Sequence, residues 1–279
     1  MSTSSAGPQD PPYARAAFRV FEFSLGEMLW SRRTIFMALL VFGPVFLALV
    51  ARIASASGIT PLRVNGVRVG GEGIFGMMIW VLFVRFIVPI LGVFYGTALI
   101  ADEVEDKTIT YLFTRPIRRG AVVLGKYLAY LVCTTLVVLP SVMIVYFLIV
   151  PVGQIAASFT PLVKDLGILA IGLAVYGALF AFVGALLKRP LVVGLVFVMG
   201  WEQAALLIPG YLRRFTVAYY LQALVPHAMP SDGVVALLQS VFQDVPSPLA
   251  SLSWLFLGLI TSLWLAARTV ERREYVLEQ

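Results

Sequence analysis

The sequence of 279 residues holds one cysteine, Cys133, and one histidine, His227. A single thiol excludes a disulfide framework, and so few nitrogen and sulfur donors argue against a zinc site built by this chain alone. Charge is scarce too, at 13% of residues, against roughly a quarter in soluble domains. There is no H-E-x-x-H, no G-x-S-x-G and no pair of aspartates within an apolar run, so the tools of a hydrolase are missing. The eight methionines are scattered, as packing residues of apolar helices are, and give no copper pattern. His227, between Pro226 and Ala228, reads as a loop or interface residue rather than a ligand.

What is abundant is apolar surface, with 60% hydrophobic residues. A soluble chain of this length cannot bury that much, and the membrane is the solvent that fits. The net charge of +6 then reads as cation-rich loops on one membrane face rather than as a nucleic-acid footprint. The fold class is an all-α integral membrane protein. Six runs approach the about 20 apolar residues that a helix needs to cross: residues 34–51, 74–100, 121–150, 166–187, 191–209 and 249–267. Pro89 and Pro140 should kink the second and third, since each removes a backbone hydrogen bond.

Charge sets the orientation. With both termini inside, 14 of the Lys and Arg residues face the cytoplasm and six face outward, while Arg85 lies within a span. Ser31-Arg32-Arg33, followed by an apolar run and Ala54-Ser55-Ala56, looks like a twin-arginine leader with its cleavage site. Five further spans, and Arg52 just before that site, argue against cleavage.

Residues 1–12, rich in Ser, Pro and Gly, read as disordered. Residues 13–33 place Ala14, Phe18, Phe21, Leu25 and Met28 on one helical stripe beside Arg15, Arg19 and Glu22. That pattern predicts an amphipathic helix lying in the membrane surface, with Trp30 at headgroup depth. Residues 34–279 form one six-span domain. Between its first two spans, Asn65-Gly66 carries the signature of a tight hairpin, with a flexible loop as the alternative. Before the last span, residues 210–247 are too apolar for an ordinary loop. Val234, Leu237, Leu238 and Val241 share a helical face after a Ser231 cap, which predicts short membrane-dipping helices.

Two charges lie well inside spans, Arg85 and Glu202, and such residues are costly enough to be functional suspects. At about 1.5 Å rise per residue they lie roughly 16 Å and roughly 10 Å from the outer ends of their spans, close enough in depth to pair. The alternative is that Glu202 and Gln203 begin a membrane-dipping segment.

Residues 101–126, ADEVEDKTITYLFTRPIRRGAVVLGK, hold nine charges, a quarter of the chain's 36. Gly120 to Lys126 touches the P-loop pattern, but Tyr127 stands where Ser or Thr must hold magnesium and no strand precedes it. A turn at Gly120, then a span with Lys126 snorkelling to the interface, is the simpler reading. Cations alone would hold this loop inside, yet acidic residues contribute little to orientation, so Asp102, Glu103, Glu105 and Asp106 need another reason.

Glu103, Thr108, Leu112, Pro116, Arg119 and Leu124-Gly125-Lys126 supply one, because in this order after a second span they resemble the membrane subunits of the type 2 ABC export family. Lys107 departs from the pattern, standing where that family usually has glycine, so a helix running on to Phe113 replaces a tight turn there. The resemblance implies a permease in a bacterial inner membrane that lacks nucleotide-binding motifs and cofactors of its own. It further implies a separate cytoplasmic ABC ATPase partner, and dimerisation with itself or a sister subunit. Residues 108–113 would be the coupling element, with Ile109, Leu112 and Phe113 as the apolar anchor, Glu103 holding it, and Arg115, Arg118 and Arg119 as polar rim. The other class of reading is a non-transporting membrane anchor or assembly factor that recruits a cytosolic protein through the same loop.

Overall fold

The computed structural model describes residues 13–57, 63–64, 67–68, 70–105, 119–207, 211–225 and 246–272. Helix α1 (Tyr13–Leu29) leads through a turn at Trp30 and Ser31 into α2 (Arg32–Ala56). The Ser31 hydroxyl donates to the Met28 carbonyl at 3.0 Å, and the Thr34 hydroxyl donates to the same carbonyl. That carbonyl, orphaned at the end of α1, is therefore satisfied locally. Two short strands follow, β1 (Arg63–Val64) and β2 (Val67–Arg68), paired antiparallel with Arg63 opposite Arg68 and Val64 opposite Val67. This is the register that a two-residue connection at positions 65 and 66 dictates.

Helix α3 (residues 71–105) is not uniform. It is α-helical over Gly71–Met78, widens to a π register over Ile79–Ile87, tightens at Val88–Leu91, and widens again over Gly92–Gly96. The Val88 N–H, for instance, donates to the Phe83 carbonyl five residues back. Pro89 therefore lies in the short stretch between two widened segments. Helix α4 (Arg119–Ile149) runs on through Pro140. A short 3₁₀ turn, Val152–Gln154, leads to α5 (Ile155–Leu186). Helix α6 (residues 190–207) includes a third π stretch, Phe197–Glu202. A 3₁₀ turn at Tyr211–Phe215 and the six-residue α7 (Val217–Gln222) precede α8 (Pro248–Arg272).

Five of these helices are long and apolar enough to cross a membrane: Thr34–Ala56, Gly71–Ala101, Gly120–Ile149, Val152–Leu186 and Pro248–Arg272. The run expected at 191–209 is a shorter apolar helix, Pro190–Ala205. Boundaries moved outward elsewhere. Helix α5 begins eleven residues before the expected Leu166, because Lys164 and Asp165 do not stop it. Asp165 is instead fully buried. Nor does the chain turn at Gly120. It is already helical at Arg119, and Ala121 packs with Ala16 and Ala17 of α1.

Helices α3, α4 and α5 form the centre, and α1, α2 and α8 line its outside. The core is aromatic as well as aliphatic, with Tyr95, Tyr130, Tyr146 and Tyr176 fully buried. Such tyrosines need hydroxyl partners in an apolar medium. Tyr127 donates to the Ala174 carbonyl at 2.9 Å and Tyr130 to the Leu173 carbonyl at 2.8 Å, stitching α4 to α5. Tyr146 donates to the Ile155 carbonyl at 3.0 Å. By contrast, Leu39, Phe42 and Phe46 of α2, and Trp254, Ile260 and Trp264 of α8, face outward, as residues wetted by lipid do.

Helix α1 divides its surface differently from the single stripe expected. Ala16, Ala17 and Ser24 are buried, and Leu25 and Met28 pack on the core, whereas Phe18, Phe23 and Trp30 are exposed. The small residues face α4, on which α1 lies most extensively, and the large aromatics point away.

Candidate functional site

Residues 102–126 form the first candidate region. Glu103 closes the last turns of α3 (Thr97–Glu105), and Arg119 opens α4. Thr108, Ile109, Leu112, Phe113 and Pro116 lie outside the described residues, as do the side-chain positions of Glu103 and Arg119. What is described is the platform beyond them. At Gly125 an added Cβ would lie 2.5 Å from the Ala17 carbonyl and 2.9 Å from Val20, so a side chain there would lift α1 off α4. The Leu124-Gly125-Lys126 sequence thus has a packing reason. Lys126 itself is buried at 9% exposure rather than extended to an interface, because the end of α4 that carries it is overlaid by α1.

The second candidate region gathers the two intramembrane charges. Arg85 and Glu202 sit on different helices, each within a π stretch. Wide turns of this kind are frequent at functional sites, because they displace the helix register locally. Glu202 is buried at 1% exposure. Its Oε2 accepts from the Tyr176 hydroxyl of α5, and its Oε1 accepts from the Val217 N–H at 3.1 Å. A buried carboxylate is tolerated only when donors replace its water, and here Tyr176 and Val217 do.

Arg85 is half-buried and engages the residue next to Glu202. Its Nη2 donates to Gln203 Oε1 at 2.8 Å, and Gln203 Nε2 donates to the Arg85 carbonyl at 3.3 Å. The guanidinium lies 5.2 Å from the Trp80 ring centroid, on the same π stretch. Arg85 and Glu202 thus lie side by side, with Arg85 hydrogen-bonded to Gln203, the residue that follows Glu202 in the chain. Glu202 ends the π stretch of α6 and reaches across to α7.

Sequence reasoning missed Tyr176 and the Val217 amide. A tyrosine in mid-span was a usable signal, since its hydroxyl must find a partner there. A backbone donor carries no sequence signal. The carboxylate thus ties α6 to both α5 and α7.

A family model described as "ABC-2 family transporter protein" matches residues 20–269. Comparison with curated proteins gave no significant match. The family match spans α1 to α8, and so takes in both candidate regions.

Proposed function

Because this chain belongs to the ABC-2 transporter family and is a multi-pass membrane protein, we propose that it is the membrane-spanning permease subunit of an ATP-driven exporter. The observation that carries the reading is the family match over residues 20–269. ATP is hydrolysed by a separate cytoplasmic ABC ATPase, which grips the loop between α3 and α4. Glu103 holds that loop, Ile109, Leu112 and Phe113 anchor it, and Pro116 and Arg119 complete it. The concentration of charge between 102 and 126, on a chain otherwise so apolar, supports a protein contact there.

In this reading the fifth crossing is the shorter helix Pro190–Ala205, which makes six spans with both termini in the cytoplasm of a bacterial inner membrane. The excess of cations on that side supports the orientation. Helix α1 lies in the cytoplasmic membrane surface, which its outward Phe18, Phe23 and Trp30 support. Six spans make half a transporter, and a homodimer or a heterodimer completes it.

The test is ATP turnover in lipid nanodiscs. The chain alone hydrolyses no ATP, and hydrolysis appears when a cognate ABC ATPase is added and sediments with it. ATP hydrolysis by the isolated chain, or failure to bind any such ATPase, would overturn the reading in favour of an enzyme or a non-transporting anchor.

A further inference from the structure

We propose that Glu202 is a latch holding the segment 211–225 against the membrane bundle, and that export requires the latch to release. The second half of this statement rests on the permease reading; the first does not. Helix α7 has no cap of its own. Thr216 stands at its N-cap in extended conformation, but its hydroxyl donates backward to the Arg213 carbonyl at 2.7 Å. The first amides of α7 would be orphaned in an apolar setting. The Glu202 carboxylate, delivered by α6, takes the Val217 N–H in place of a local cap.

Leu221 and Tyr220 attach this segment by apolar contacts. Leu221 is buried beside Gly172 of α5, where Val88 of α3 also packs. The Tyr220 ring stacks on Trp254 of α8 with centroids 6.4 Å apart. Contacts of that kind let a short helix slide. A carboxylate held by Tyr176 and the Val217 amide does not slide, because its bonds form or break together. Gln203 ties the same turn of α6 to Arg85, so withdrawing this turn would disturb α3 as well. The segment thus packs on α3, α5 and α8, and the Glu202 carboxylate hydrogen-bonds it to α6.

The experiment measures reaction of a membrane-impermeant maleimide with Leu221→Cys in a Cys133→Ser background, in nanodiscs. Leu221 is buried, so labelling reports opening of the segment. With Glu202 intact, labelling is slow. Glu202→Ala raises the rate about tenfold or more. Tyr176→Phe, which removes one donor, raises it by a few-fold. Glu202→Gln keeps an acceptor for Val217 and stays within about threefold of the parent. With the partner ATPase present, ATP accelerates labelling of the parent but not of Glu202→Ala. Equal rates for the parent and Glu202→Ala overturn the latch. Where Glu202→Ala fails to fold, an unaltered rate in Tyr176→Phe overturns it instead. If the variants behave as stated but no ATPase binds, the permease reading fails while the latch stands.

Discussion

Tyr130 and Gly177 show how tightly α4 and α5 are fitted at the level of single residues. The Tyr130 ring occupies the space that a Cβ at position 177 would take, with Cε1 2.0 Å from it, while its hydroxyl reaches the Leu173 carbonyl. Gly177→Ala must therefore expel the ring and break that bond. Overpacking of this kind costs about 1–3 kcal/mol, whereas Tyr130→Phe loses one hydrogen bond worth about 0.5–1.5 kcal/mol. Unfolding in mixed detergent titrations should rank the alanine variant as the less stable of the two. Gly125→Val should act at the other interface. Its side chain would collide with the Ala17 carbonyl, so α1 should leave α4 and trypsin should cut at Arg15 or Arg19 faster than in the parent. Unchanged proteolysis would show that α1 is held elsewhere.

Among the elements, α1 turns large aromatics outward although it is not one of the five long spanning helices. Its small residues are spent on α4, and Phe18, Phe23 and Trp30 point outward, Trp30 at 93% exposure. In a variant that keeps Trp30 as its sole tryptophan, lipids brominated near the headgroups should quench its fluorescence more than lipids brominated near the bilayer centre. The reverse order would mean that α1 extends the first span. The amphipathic pattern of α1 was legible in the sequence, but its face was not. Leu25 and Met28 follow the expected stripe into the core while Phe18 does not, because the glycine at 125 admits only the small-residue face of α1. The π stretches of α3 and α6 were not legible at all. A register change of one residue leaves apolar runs apolar, and only the displaced polar side chains betray it.

At the scale of the molecule, the apolar runs and the positions of the charges made the membrane class plain, and five of the six runs proved to be helices long enough to cross. A helix outruns the apolar run where a polar residue is buried. Asp165 reads as a loop residue on hydropathy, yet it lies within α5. Arg85 and Glu202 stood out because buried charge is costly, but their partners Gln203 and Tyr176 depend on how three helices pack, which no local pattern encodes. Orientation gives a whole-molecule prediction. If the proposed orientation holds, a fluorescent protein fused after Gln279 fluoresces and alkaline phosphatase fused there is inactive. Active phosphatase would invert the topology and move residues 102–126 away from any cytosolic ATPase.

The central claim is that this loop is where an ABC ATPase grips the chain. It is tested most directly by measuring how much partner ATPase is retained on the affinity-tagged chain. The wild-type chain should retain it stoichiometrically. Glu103→Ala combined with Phe113→Ala should cut retention about tenfold or more, as loss of an interface anchor does, with the helices still inserted. Neutralising Arg118 and Arg119 should change retention by no more than about twofold, because rim charges are screened. Full retention of a working ATPase by the Glu103→Ala, Phe113→Ala chain would contradict the account and leave residues 102–126 as a topological signal alone.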